Sequence, residues 1–391
     1  MFYDLATLTW GEEELAAIQR VVSSGRLTMG TEVETFEKEF AKYFSMRYAV
    51  MVNSGSSANL ISTAAMFYKR ERPLEHSDEA VVPAISWSTT YHPLQQYGLK
   101  LRFVDVELET LNIDARAVED ALTPHTRLLV GVSILGNPAA LDMLRNLADR
   151  HGLYFLEDNC ESLDAELHGR KTGTFGDLCT FSFYYSHQIS TMEGGMVLTN
   201  DKELYHLLLA LRAHGWTRDL PSDSPFDQHS RIDSFEQYRF VLPGYNVRPL
   251  EISGAIGREQ LKKLPEMTRR RRENWALFQR LFGNDPRFIT QRENGLSSCF
   301  SFAMILNPQF GIQRQRVFSA LREADIGFRM ITGGCFPCHD VIKYYNYSIA
   351  GAGSLLNAEL AHYNGFFVGN YPFDLTLQLT RLWEVLDYAC R

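Results

Sequence analysis

The sequence is poor in cysteine: six in 391 residues, too sparse for the disulfide framework of a small extracellular domain. Cys335-Phe-Pro-Cys338 followed by His339 looks like half a metal site. No second CxxC pair exists, and Cys299 and Cys390 stand alone, so four grouped ligands are lacking and no metal is expected. No apolar run approaches the roughly 18 residues of a membrane span. The opening segment MFYDLATLTWGEEEL has neither a basic nor an apolar signal region, so a soluble cytoplasmic protein is expected. Positive charge is not in excess: 39 Lys and Arg stand against 47 Asp and Glu, a net charge of −8. That excludes a general polyanion binder, and the basic run 269–272 inside a helical pattern reads as a solvated face. Neither nucleic acid nor membrane is expected as a partner. There is no Walker loop, and Gly351-Ala-Gly353 follows no convincing strand, so nicotinamide binding has no support. Repeats and low-complexity tracts are absent.

What is present is an ordinary globular mix, 45% hydrophobic and 22% charged, with length for two or three domains. Short apolar runs at Tyr48–Val52, 79–82, 101–106, 127–132 and 153–156 alternate with helical patterns such as 58–68 and 139–151. This alternation predicts an α/β protein with a mainly parallel sheet covered on both faces, and a site at the carboxyl ends of its strands. Near Pro243 the character changes. One long helical pattern runs over 249–282. An α+β unit follows, with a strand over 299–306, a helix over 313–324 and a strand near 327–332. The expected division is a large domain, 1–250, then the linking helix and a smaller α+β domain, 251–391. The first dozen residues are expected to pack on one of the two.

Five motifs are candidates for chemistry. Asn53-Ser-Gly55-Ser56-Ser57, between a strand and a helix, suits a phosphate group through backbone N–H groups and the helix dipole; it also reads as a simple N-cap. In LEDNCES, Asp158 falls just past a strand, where a carboxylate pairs well with a protonated ring nitrogen; it also reads as a loop cap. SFYYSHQISTMEGG holds Ser182, a phosphate-binding candidate, His187, and a tight turn at Gly194 and Gly195. AHGWTRD offers His214 and Arg218, and PGYNVRP offers Asn246 and Arg248. Arginine suits carboxylate and phosphate, and equally a surface ion pair.

In combination these motifs resemble the sugar aminotransferase family of fold-type I enzymes that use pyridoxal 5′-phosphate (PLP). The order Gly55-Ser56, Trp87, Asp158 with Glu161, Ser182 with His187, then Asn246 spans most of the chain. The family signature reads S-F-x-x-x-K-x-x-x-x-G-E-G-G. This chain keeps Ser182, Phe183, Glu193, Gly194 and Gly195, but Met192 replaces a glycine and His187 stands where the Schiff-base lysine belongs. A branch of the family, the 3-dehydratases of 4-keto-6-deoxy sugar nucleotides, shares that histidine. The stretches VPAISWSTTYHPLQQYG, YSHQISTMEGG, RAHGWTRDLP and FVLPGYNVRPLE resemble that branch, in particular its GDP-sugar members.

The resemblance implies a fold-type I aminotransferase fold and a set of roles. Gly55, Ser56 and Ser182 would hold the cofactor phosphate. Trp87 would stack on the pyridine ring, Asp158 would pair with its nitrogen and Glu161 would lie near its edge. Asn246 would reach the cofactor phosphate of a neighbouring subunit, which implies a homodimer. His214, Arg218 and Arg248 would bind the amino-acid or sugar-nucleotide substrate. His187 cannot bond covalently to the cofactor but can move protons. The implied reaction uses pyridoxamine 5′-phosphate (PMP) to expel the C3 hydroxyl, and L-glutamate to regenerate that amine form, with ammonia released. Three alternatives stay open: an aminotransferase with a lysine elsewhere, an enzyme like the CDP-sugar 3-dehydratases with a cysteine-ligated cluster, and a cofactor-bound protein without turnover.

Overall fold

The computed structural model describes residues 2–226, 238–351 and 353–391; Ala352, inside the Gly351–Gly353 segment, lies outside them. Fourteen strands occur among these residues, in three sheets. In chain order they are β1 (Tyr48–Val52), β2 (Glu79–Pro83), β3 (Lys100–Val104), β4 (Thr126–Val132), β5 (Tyr154–Asp158), β6 (Glu166–Leu167), β7 (Arg170–Lys171), β8 (Leu178–Ser182), β9 (Gly195–Thr199), β10 (Phe288–Thr290), β11 (Ser301–Leu306), β12 (Phe328–Arg329), β13 (Tyr347–Ile349) and β14 (Gly365–Gly369).

The large sheet has the order β1-β9-β8-β5-β4-β2-β3-β13. Only β9 runs against its neighbours β1 and β8; the other pairs are parallel. Strands β2, β5, β8 and β9 are buried at every position, as expected of a sheet covered on both faces. The helices Gly55–Tyr68, Ser88–Gln96 and Lys202–Arg212 are among the elements on one face, in a core that includes Ile61, Leu94 and Leu208. On the other face Thr31–Tyr43 packs with Glu251–Phe282 through Phe36, Phe40 and Leu264, and Leu141–His151 packs through Leu144.

The expected strands at 79–82, 101–106, 127–132 and 153–156 are present with bounds shifted by a few residues. The expected 327–332 strand shrinks to β12, because Ile331–Gly333 turns into a 3-10 helix with Thr332 at φ 40. β8 and β9 had no counterpart in the pattern reading: each is a five-residue run beside polar loops.

A second, antiparallel sheet, β10-β11-β14-β12, has its own core. Phe302, Met304, Leu379 and Leu386 meet Trp275, Phe278 and Phe282 there, on the last turns of the 32-residue helix Glu251–Phe282. That helix thus serves both cores. The C-terminal part also lends the large sheet its edge strand β13, paired with Leu101–Phe103 of β3. The N-terminus joins the small unit: Tyr3 bridges Ile326 and its buried hydroxyl donates to the Gly369 carbonyl at 2.5 Å.

Candidate active site

The carboxyl ends of β4, β5 and β8 meet the start of the helix Gly55–Tyr68 around a cavity of about 620 Å³, within the range of small-molecule sites. Gly55, Ser56, Trp87, Asp158, Glu161, Ser182 and His187 all line it. The small unit closes one side with Phe300, Ser301, Arg329, Thr332 and Phe367. His214, Arg218, Asn246 and Arg248 do not line it.

At the helix start, Ser54 caps the helix by accepting from the Ser57 N–H at 3.1 Å. The first N–H groups of a helix have no intrahelical acceptor, and here Gly55 and Ser56 carry them into the cavity. Gly55 lies tight against β8. A Cβ at this position would sit 2.6 Å from Ser182 Cβ and 3.0 Å from Ser182 Oγ. Glycine therefore lets the helix end approach the serine hydroxyl, and the two together form a compact donor cradle suited to a phosphate.

Strand alternation decides which acid of β5 enters the site. Glu157 points to the opposite side and is fully buried, accepting N–H bonds from Phe175 at 2.8 Å and Gly176 at 3.2 Å; burial raises its pKa. Asp158 faces the cavity with only 4% exposure. Its Oδ2 accepts from Asn59 Nδ2 at 2.9 Å and Thr90 Oγ1 at 2.7 Å, and its Oδ1 from the Cys160 N–H at 3.2 Å. Thr180 Oγ1 donates in turn to Asn59 Oδ1 at 2.7 Å. The carboxylate is thus fixed in orientation. Glu161 Oε2 accepts from the Leu135 N–H at 2.8 Å and from Thr332 Oγ1 at 3.2 Å. Burial, with Asp158 nearby, pushes its pKa up to about 7.

His187 sits half-buried on the cavity wall. Its Nδ1 is 2.7 Å from the Cys160 carbonyl. A carbonyl only accepts, so Nδ1 carries the hydrogen and Nε2 holds the free lone pair. The Phe300 ring packs edge-on at 5.2 Å and Tyr184 at 6.1 Å. Burial pushes the imidazole pKa down to about 4. The buried Arg271 guanidinium acts in the same direction, while the Cys160 carbonyl and Asp158 oppose it. The residue is therefore a neutral base at pH 7. No lysine lines the cavity among the described residues.

Trp87 caps the helix Ser88–Gln96 and is 57% exposed at the mouth. The remaining candidates form a separate surface group. Ala213 bridges Asn246, and Arg248 Nε donates to Asn246 Oδ1 at 3.0 Å. His214 (φ 63) packs its ring 5.2 Å from that of Trp216, over which Arg218 also lies. Phe240 is exposed beside them.

Sequence reading missed Asn59 and Thr90, which orient Asp158, and Thr332, Phe300 and Arg329 from the small unit. A polar Asn59 within the apolar helical run was the available signal for the first. The small-unit residues gave none, because they reach the site only through tertiary packing.

The donor cradle, the oriented carboxylate and the apolar walls fit a phosphorylated cationic pyridine such as PLP. Comparison with known proteins agrees. The model of the DegT/DnrJ/EryC1/StrS aminotransferase family matches residues 9–376. The GDP-4-keto-6-deoxy-D-mannose 3-dehydratase of Yersinia pseudotuberculosis is 48% identical over 386 residues, covering 98% of each chain. The solved structure of the E. coli GDP-4-keto-6-deoxy-D-mannose-3-dehydratase with bound hydrated PLP has a TM-score of 0.95 at 46% identity, over 98% of this chain and 99% of that one. A GDP-4-keto-6-deoxymannose-3-dehydratase structure with a trapped PLP–glutamate geminal diamine also has a TM-score of 0.95 at 46% identity, over 98% of this chain and all of that one. The chain belongs to the DegT/DnrJ/EryC1/StrS aminotransferase family and has its PLP fold-type I architecture.

Proposed function

We propose that this protein is a PLP/PMP-dependent 3-dehydratase of a 4-keto-6-deoxy sugar nucleotide, GDP-4-keto-6-deoxy-D-mannose. It removes the C3 hydroxyl to give the 4-keto-3,6-dideoxy sugar of the kind used for colitose and O-antigens. The observation that carries this reading is His187, a neutral base on the wall of a cofactor-shaped cavity whose described lining contains no lysine. The described lining therefore offers no amine to hold the cofactor covalently. The close relatives with this activity supply the substrate class.

When bound, the cofactor ring supplies an electron sink for the pair left by a departing proton. Gly55, Ser56 and Ser182 hold its phosphate through N–H and hydroxyl donors. Asp158, fixed by Asn59 and Thr90, would pair with the ring nitrogen and keep it protonated. Trp87 would cover the ring, and Phe300 would exclude water from the His187 side. His187 Nε2 takes the proton, since Nδ1 is tied to the Cys160 carbonyl. The imidazolium so formed is a strong acid for a histidine, because burial disfavours its charge, and it delivers the proton to the leaving C3 hydroxyl. Glutamate is joined to PLP in a relative; L-glutamate would be the amine donor here, and the same His187 Nε2 would carry the proton.

The group His214, Arg218, Asn246 and Arg248 lies outside its own chain's cavity. This placement supports a homodimer in which that surface completes the partner's site. Among the described residues no helix is long and apolar enough to cross a membrane; a cytoplasmic location is part of the proposal.

The product's mass tests the reading. Protein, PLP, glutamate and GDP-4-keto-6-deoxymannose should yield a ketone one oxygen lighter than the substrate, together with ammonia. An amino sugar would mean an aminotransferase instead.

A further inference from the structure

The segment Cys335-Phe-Pro-Cys338 serves no step above, yet its two thiols are placed for chemistry of their own. The cysteines stand three residues apart on one 3-10 turn, Phe336–Cys338, with Pro337 inside it. The Cys338 N–H donates to the Cys335 carbonyl at 3.1 Å. Such a turn keeps its end Cα atoms within about 7 Å, the reach of a disulfide. The two thiols are also unequal. Cys335 is fully buried, whereas Cys338 is the one exposed cysteine of the six.

The turn is anchored to the cavity wall. Cys335 bridges Ile85, and the Phe336 N–H donates to the Ala84 carbonyl at 2.9 Å. This ties the turn to the segment leading into Ser86 and Trp87. On its other side Gly333 and Gly334, both at φ +79, separate Cys335 from Thr332, the residue that donates to Glu161. His339 returns to the same loop, its Nε2 2.6 Å from the Gly333 carbonyl.

We propose that Cys335 and Cys338 form a reversible disulfide site that couples the thiol–disulfide state of the surroundings to the cavity wall at Thr332 and Gly333. The oxidant class is a small disulfide such as oxidised glutathione. The exposed Cys338 sulfur, as thiolate, attacks one sulfur of that disulfide; its S–S bond breaks and one small thiol leaves. Cys335 then loses its proton and attacks the Cys338 sulfur, and the second small thiol leaves. Two protein thiols are oxidised to one disulfide, and the external disulfide is reduced to two thiols that receive the cysteine protons. Cys335 is buried, with its thiol held well above the usual range, and Cys338 is exposed, so the mixed disulfide forms on Cys338 first.

The test uses the full chain with PLP, oxidised glutathione and peptide mass mapping. The expected result is loss of two hydrogens at the 335–338 peptide, reversed by a dithiol. Cys335→Ser should stop at one glutathionyl group on Cys338, and Cys338→Ser should not react in this peptide. Hydrogen exchange over 329–334 should differ between the oxidised and reduced wild type and be unchanged by the same treatment of Cys338→Ser. Two free thiols after prolonged exposure, a wild-type mixed disulfide that never resolves, or a disulfide that leaves exchange over 329–334 unaltered would each overturn the proposal. None of these readouts depends on turnover. The effect on catalysis rests on the proposed function: oxidised wild type should lose about tenfold in rate, about 1.4 kcal/mol, while Cys338→Ser keeps its rate.

Discussion

His187→Asn probes both the chemistry and the electrostatics of the site. Asparagine keeps the size and a donor toward the Cys160 carbonyl but has no proton to move. No neighbour replaces it. Asp158 is engaged by Asn59, Thr90 and the Cys160 N–H, Glu161 is held by Leu135 and Thr332, and no lysine lines the cavity among the described residues. A positioned acid–base contributes about 10²–10⁴ per step, and in the proposed mechanism His187 serves as base and then acid. Loss of about 10⁴, some 5 kcal/mol of barrier, is expected. The assay is single-turnover conversion by enzyme preloaded with PMP, alongside a PLP titration expected to be unchanged within about threefold.

The same variant tests the depressed pKa. A histidine that titrates at about 4 when folded and near 6.5 unfolded binds fewer protons in the native state between those values. Its contribution to stability is complete above about pH 6.5 and is lost as pH falls toward 4. The full shift corresponds to about 3 kcal/mol, a ceiling here because one face of the ring opens on the cavity. Urea unfolding at pH 7.5 and pH 4.5 should show the wild type losing more stability than His187→Asn by up to this amount. Turnover within tenfold of wild type would refute the proton role, and parallel stability curves would refute the burial argument.

Glu161→Gln reports the opposite sign. The native pKa of Glu161 is raised to about 7, so its favourable contribution is complete below about pH 4.5 and fades as pH rises through 7. The glutamine variant should gain stability relative to wild type between pH 5 and pH 8, by at most about 3 kcal/mol in denaturant titrations, and no pH-dependent gain would contradict the raised pKa. Asp158→Asn keeps the hydrogen-bonding size but not the charge. PLP affinity by fluorescence should fall at least tenfold, about 1.4 kcal/mol, and an unchanged rate would count against pairing with the ring nitrogen. Gly55→Ala places a Cβ 2.6 Å from Ser182 Cβ. The overpacking should cost about 1–3 kcal/mol in thermal melts of the apo-protein and weaken PLP binding further, whereas wild-type values for both would refute the close approach of the helix start to Ser182.

The sequence by itself determined the alternation of strands and helices, the long helix after residue 250, and the positions of Gly55, Asp158, Ser182 and His187 relative to strand ends. Local pattern suffices for these, because helix and strand periods and loop residues are written in neighbouring positions. It also showed the substitution that matters most, a histidine in the lysine position. Tertiary structure decided the rest. Asn59 and Thr90 meet Asp158 across 99 and 68 residues of sequence, and Thr332 reaches Glu161 across 171; no periodicity encodes such meetings. His214, Arg218, Asn246 and Arg248 were legible as candidates in the sequence, but only the fold shows that they lie outside their own chain's cavity, on the surface that the proposed homodimer would bring to the partner's site. The protonation of His187 was equally invisible, because a pKa follows from desolvation and surrounding charge, and both exist only once Phe300, Arg271 and the Cys160 carbonyl have been packed around the ring.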